Sequence, residues 1–315
     1  MGLRNFINLL GGLALFIYGM QMMENGLQEA AGKKLHKILA GMTANPLIGV
    51  LAGTLVTALI QSSTAVTVMT VGFVNAGMMT LLQSVWIIMG ANIGTTITGQ
   101  LIAMDAGVIA PFLAFCGVVL LICGKKKGIK QAGTVLAGMG VLFIGMQMME
   151  ASMLPLRDSP VFLKLMSRFR DPLWGILGGT VFTALIQSST ASVGILQAMA
   201  EGGAVSLCDT VYVLFGQNIG TCLTSMLAAV GTSCNAKRST LIHLLFNVIG
   251  TVLFTVLCIF LPVCPWVEQW TPNNPAGQIA NMHTLMNVGT TLLLLPFGKE
   301  LAALTERLLP DVDGK

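Results

Sequence analysis

Two tetrads of neutral polar residues, Gln61-Ser62-Ser63-Thr64 and Gln187-Ser188-Ser189-Thr190, interrupt long apolar stretches. Their hydroxyl and amide dipoles can replace an ion's water and still release the ion, because none carries a full charge. If the chain is helical before and after each tetrad, the second half-helix opens near Ser63 or Ser189. Its free N–H groups and positive partial charge then suit an oxyanion. Carbonyls that end the first half-helix, with Ser, Thr and Asn oxygens, suit a hard cation such as sodium. A second motif adds oxygens at near-helical spacing: Asn92, Thr95 and Thr96 in Gly-x-Asn-Ile-Gly-Thr-Thr, repeated as Asn218 and Thr221. The expected cation ligands are therefore Ser62, Thr64, Asn92, Thr95, Thr96, Ser188, Thr190, Asn218 and Thr221. Cys222 stands where the first copy has Thr96, so the second half offers one oxygen fewer.

These motifs recur at one offset. Gly19-Met-Gln-Met-Met-Glu24 returns as Gly145 to Glu150, Thr57 to Ala65 as Thr183 to Ala191, and Gly90 to Thr95 as Gly216 to Thr221, each 126 residues on. Residues 45–65 and 171–191 match at 15 of 21 positions, which marks a duplicated unit. The expected division is a first repeat over 1–126, a second over 127–262, and a remainder over 263–315 holding an external loop, one extra C-terminal helix and a short cytoplasmic tail.

The solvent of these units is lipid. Of 315 residues, 54% are hydrophobic and 10% charged, against about 25% charged in soluble domains. Apolar stretches at 6–23, 81–104, 107–123, 205–230, 239–261 and 279–297 approach or exceed the roughly 20 residues a bilayer core requires. Residues 46–76 as one straight helix would reach about 46 Å, past the hydrocarbon core. Each tetrad is therefore read as the tip of a re-entrant helical hairpin, with Pro46 and Pro172 in the first turn. Three spans per half then make the halves an inverted repeat.

Basic residues divide twelve against five between the two sides. Lys33, Lys34, Lys37, Lys125, Lys126, Lys127, Lys130, Lys237, Arg238, Lys299, Arg307 and Lys315 face Arg4, Arg157, Lys164, Arg168 and Arg170. Crossing segments in place of hairpins only exchange the Lys125–Lys130 and Arg157–Arg170 groups, so charge does not choose between the topologies. Both put the N-terminus outside and the C-terminus in the cytoplasm of an inner (plasma) membrane. Pro262 to Pro275, with Trp266 and Trp270, suits an external loop with interfacial anchors.

The net charge of +4 is small and scattered, which argues against nucleic-acid binding. The seven cysteines read as membrane-core packing, and the Met-rich runs, including Met20, Met22 and Met23, as helix packing; no cofactor is called for. His243-Leu-Leu-Phe-Asn247 and His283-Thr-Leu-Met-Asn287 each put His and Asn one turn apart. A buried polar face is the plainer account, a proton-linked or gating role the sharper one. His36 lies in a basic linker. A serine hydrolase using Ser62 or Ser188 with a histidine is disfavoured, because the histidines fall outside the repeat. A passive anion channel remains a rival that sodium dependence distinguishes.

The doubled Gln-Ser-Ser-Thr, each followed by Gly-x-Asn-Ile-Gly-Thr, together with the two His-Asn segments, resembles the type II sodium/phosphate cotransporter family in its bacterial branch. The likeness covers roughly residues 6–297. It implies an all-α membrane protein with two inverted repeats and sodium-coupled phosphate transport. Phosphate would sit at Gln61, Ser62, Ser63, Thr64, Gln187, Ser188, Ser189 and Thr190. The family's final serine is Thr64 or Thr190 here, keeping the hydroxyl and adding a methyl. Many bacterial members carry a PhoU-like helical domain after the membrane part, and some relatives act as exporters, so direction stays open. Partners implied are phosphate, sodium and the lipid bilayer, with a homodimer as the assembly to test.

Overall fold

A computed structural model describes residues 3–31, 45–104, 107–156 and 159–311. Lys33, Lys34, His36, Lys37, Arg157 and Lys315 lie outside the described residues, as does most of the first linker. All regular structure among the described residues is helical. The first half holds α1 (Leu3–Ala31), α2 (Pro46–Ile60), α3 (Ser63–Asn75), α4 (Leu81–Ile102) and α5 (Ala110–Cys123). The second holds α6 (Lys127–Met153), α7 (Pro160–Phe169), α8 (Pro172–Ile186), α9 (Ser189–Glu201), α10 (Leu207–Ala228) and α11 (Cys234–Phe260). Then follow α12 (Val263–Glu268), α13 (Pro275–Leu294) and α14 (Gly298–Leu308).

Both ends of α2, α3 and α4 recur 126 residues later as those of α8, α9 and α10. The same local chemistry sets them. Asn45 Oδ1 accepts from Leu47 and Ile48 N–H, and Asp171 Oδ1 from those of Leu173 and Trp174. Pro46 and Pro172 occupy the first turn, where a missing N–H costs nothing. Thr80 with Gln83, and Ser206 with Asp209, form capping boxes at the starts of α4 and α10, a reciprocal arrangement that satisfies two otherwise orphaned N–H groups.

Among the described residues five helices, α1, α4, α6, α10 and α11, are long and apolar enough to cross a membrane. The sequence reading differs in four places. The stretch 107–123 forms α5, only 14 residues long. The stretch 279–297 forms α13, which has 20 residues but carries Gln278, Asn281, His283 and Asn287. The expected loop from Pro262 to Pro275 contains α12, whose Val263, Cys264 and Val267 are buried, while Trp266 and Trp270 are exposed. The expected tail likewise begins as α14, with Gly298 packed on the Trp86 ring.

Glycine spacing decides how the helices meet. In α1 and α6, Gly12 lies on the backbone of Gly145 and Met149, Gly19 on that of Gly138 and Leu142, and Gly26 against Gln131 and Val135. One series rises while the other falls, so α1 and α6 run antiparallel. The contact of Gly12 with Gly145 is the repeat image of the contact of Gly138 with Gly19. Met20, Met23, Met146 and Met149 are buried beside this seam, as the packing role for the Met-rich runs requires.

Within each half the pairing is parallel. Gly49, Gly53 and Thr57 of α2 meet Trp86, Ile87 with Ala91, and Gly94 of α4 in rising order; Gly175, Gly179 and Thr183 of α8 meet Tyr212, Val213 and Gly220 of α10. A Cβ at Gly90 or Gly216 would strike the carbonyl oxygen of Val50 or Ile176. Hydrogen bonds reinforce this close approach: Thr54 Oγ1 donates to Gly90 O, and Thr180 Oγ1 to Gly216 O, each at 3.1 Å. Small residues admit such backbone contact where lipid offers no hydrophobic drive to helix association.

Candidate functional site

The backbone breaks at both tetrads in the same way. Helix α2 ends at Ile60, and Gln61 adopts a left-handed conformation with φ 62° and ψ 18°; Gln187 after α8 has φ 59° and ψ 21°. These are the only non-glycine residues with positive φ among the described residues. A left-handed conformation is uncommon for a residue other than glycine, and it marks both positions as helix ends under local strain. Ser62 and Ser188 then turn extended, and their Oγ atoms accept from Ala65 N at 3.3 Å and Ala191 N at 3.2 Å. Each is the N-cap of the next helix. The amides of Ser63 and Thr64, and of Ser189 and Thr190, occupy the first turn, where an α-helix has no internal acceptor for them. Among the described residues the hydroxyls of Ser63, Thr64, Ser189 and Thr190 make no hydrogen bond.

The two breaks differ in depth. Gln61 is 4% exposed, with Nε2 donating to Ala58 O at 2.7 Å and Oε1 enclosed without a partner. Gln187 is exposed.

The asparagine motifs lie on the far side of their helices from the glycine seam, since Asn92, Thr95 and Thr96 follow Gly90 and Gly94 by about half a turn. All three are buried, and among the described residues their side chains bond only to carbonyls of their own helix: Ile88 O, Ala91 O and Ile93 O. The glycines therefore fix the helix, and the polar residues are left facing the interior.

In the second half the equivalent face is occupied. Asn218 Oδ1 pairs with His283 Nε2 at 2.9 Å, and Asn218 Nδ2 reaches Met286 Sδ. Asn247 Nδ2 donates to Cys222 Sγ and to His243 O, while His243 Nδ1 pairs with Ser225 Oγ at 3.2 Å. Asn287 Nδ2 donates to His283 O. Among the described residues Thr221 Oγ1 bonds only Gln217 O. Both His-Asn segments thus brace α10 from α11 and α13, and both histidines are buried. Among the described residues the histidine side chains bond Ser225 and Asn218, not Ser62 or Ser188.

No hydrogen bond joins 61–64 to 187–190, or either tetrad to an asparagine motif, among the described residues. They converge through their helices: α3 packs on α4 and α10, and α9 on α10 and α4. Sequence reasoning missed two buried glutamines at this junction. Gln197 Nε2 donates to Gly99 O and Ala276 O, tying α9 to α4 and α13, and Gln217 Nε2 donates to Ser192 O. Their signal was departure from the repeat, because the first half has Val71 and Ala91 at these places.

A family description, Na+/Pi-cotransporter, matches residues 15–151 and 160–260. The chain belongs to the Na+/Pi-cotransporter family. The family is one of transporters, and the chain is a multi-pass helical membrane protein within it. YqeW of Bacillus subtilis (strain 168) is 33% identical over 299 residues, covering 95% of this chain and 96% of that one. YjbB of Escherichia coli (strain K12), provisionally named an inorganic phosphate export protein, is 25% identical over 306 residues, covering 97% of this chain and 56% of YjbB. The chain therefore spans little more than half of that relative. Sodium-dependent phosphate transport protein 2B of Homo sapiens is 36% identical over 105 residues, 33% of this chain and 15% of that protein. No solved structure matches the chain.

Proposed function

We propose that this protein is a sodium-coupled inorganic phosphate symporter whose two tetrads, Gln61–Thr64 and Gln187–Thr190, hold phosphate at mid-membrane. Sodium is held by Ser62, Thr64, Asn92, Thr95, Thr96, Ser188, Thr190, Asn218 and Thr221. The observation that carries this reading is the twin left-handed break, each followed by a serine-capped helix with free N–H groups. Neutrality of the site supports coupling. Two helix ends contribute at most about 2 kcal/mol each to an anion, whereas burying an ion costs several kcal/mol per charge. None of the proposed ligands is cationic, so co-bound sodium is the counter-charge that makes phosphate entry favourable.

Re-entrant hairpins and inverted topology belong to the same proposal. Because α2 and α4 run parallel and Trp86 lies level with Gly49, the chain after Gln61 has to return along α3 before α4 begins. Three contacts support the resulting sidedness. Asn75 Oδ1 accepts from Ser233 N, Asn274 Nδ2 donates to Ala103 O, and Arg170 Nε donates to Asp209 Oδ1. Re-entrant hairpins put both members of each pair on one side, and crossing segments would separate them. The antiparallel seam of α1 and α6 supports the inversion. The N-terminus is then outside and the C-terminus cytoplasmic.

The test is radioactive phosphate uptake into proteoliposomes, with and without a sodium gradient and against sulfate and arsenate. Uptake should rise with inward sodium, and Ser62→Ala and Ser188→Ala should each lower it at least about tenfold, or about 1.4 kcal/mol, with unchanged membrane expression. Uptake indifferent to sodium rejects the symport; normal uptake by both variants rejects the site. A second reading, phosphate export through the same site, is favoured by the relatives named for export, which match nearly the whole chain. Faster efflux than influx at equal gradients would select it.

A further inference from the structure

All seven cysteines are free, and the sequence holds no paired motif among them. Folding gathers three. Cys208 lies in the first turn of α10, Cys258 near the end of α11 and Cys264 in α12. The three line one open cavity of about 470 Å3, together with Arg170, Asp209 and Tyr212. Cys264 is buried in a hydrophobic cluster against which Cys208 and Cys258 pack. Cys208 Sγ donates to Glu268 Oε1 at 3.3 Å.

Packing cysteines are buried singly in apolar surroundings and are inert. A group of thiols that packs together and lines one open cavity has the parts of a redox pair: neighbouring sulfurs and access for an oxidant. We propose that Cys208 and Cys264 form a redox-active disulfide that ties the first turn of α10 to α12. Cys208 is the partner because its hydrogen bond to Glu268, one turn after Cys264 on α12, holds its thiol against the face that carries Cys264. With a peroxide as oxidant, one thiol of the pair loses its proton and attacks a peroxide oxygen, giving a sulfenic acid and water. The other thiol then attacks that sulfur and releases a second water. Two thiols are oxidised to one disulfide and one peroxide is reduced to two waters. The proposed external position of α12 puts the site in the compartment where disulfides persist.

The experiment treats the purified full chain in detergent with hydrogen peroxide, then counts alkylatable thiols under denaturing conditions and maps linked peptides. Two of the seven thiols should disappear, return with dithiothreitol, and map to a peptide joining Cys208 to Cys264. Cys208→Ser and Cys264→Ser should each keep all their remaining thiols, whereas Cys258→Ser should still lose two. A wild type that keeps all seven overturns the proposal, as does a Cys208→Ser chain that still loses two. The readout is thiol chemistry alone, so transport failing its own test leaves this outcome untouched.

Discussion

At the residue scale, the two glutamines are held in a conformation that favours glycine, and only one of them is compensated. Replacing either by glycine relieves about 0.5–1 kcal/mol of backbone cost. For Gln61 the gain is offset by the lost bond from Nε2 to Ala58 O, a net interaction of about 1 kcal/mol. Gln187 is exposed and has no such bond among the described residues. Gln187→Gly should therefore raise the melting temperature, Gln61→Gly should leave it nearly unchanged, and thermal unfolding in detergent measures the difference. If the amides are phosphate ligands, both variants should lose uptake whatever their stability. The serine caps can be separated from the ligand role in a similar way. Ser62→Asp keeps an N-cap acceptor but adds a negative charge beside the proposed anion, so it should fold and fail to transport.

At the element scale, the glycines of Gly-x-Asn-Ile-Gly-Thr do not touch an ion; they let α4 and α10 lie against the half-helices that precede the breaks. A methyl at Gly90 or Gly216 meets a backbone carbonyl that cannot move aside independently of its helix. Overpacking of this kind costs about 1–3 kcal/mol. Gly90→Ala and Gly216→Ala should lower thermal stability by a comparable amount in the two halves, as their matched geometry requires. Gly128→Ala, where the added carbon meets nothing within 4 Å, should be neutral or slightly stabilising as a helix substitution. Equal stability of Gly90→Ala and Gly128→Ala would contradict the packing described here.

For the whole molecule, the decisive quantity is which side of the membrane each connection occupies. A single cysteine at position 75 or 170, in a background without native cysteines, reports this through a membrane-impermeant maleimide. With re-entrant hairpins, Asn75→Cys should label only in inverted vesicles and Arg170→Cys only in intact cells. Crossing segments exchange the two results. The Arg170 pair with Asp209 is exposed on the arginine side and contributes little stability, so the substitution itself should be tolerated.

The division between what the sequence determined and what the fold decided follows from the range of the forces. Helix ends at Pro46, Pro172, Ser62 and Ser188 were legible because capping and proline effects act within a few residues, and the exact repeat doubled each signal. Composition determined the lipid environment, because a charged share of 10% together with apolar runs of bilayer length matches a lipid solvent. The tertiary structure alone decided that Gln61 is buried and Gln187 exposed, since burial depends on which distant helices cover each tip. It also recruited Gln197 and Gln217, shortened the expected span at 107–123 to α5, and made helices of the expected loop and tail. Three cysteines that looked like separate packing residues became one cluster for the same reason. Their proximity arises where the start of α10 meets the end of α11, a contact between segments that no local pattern encodes.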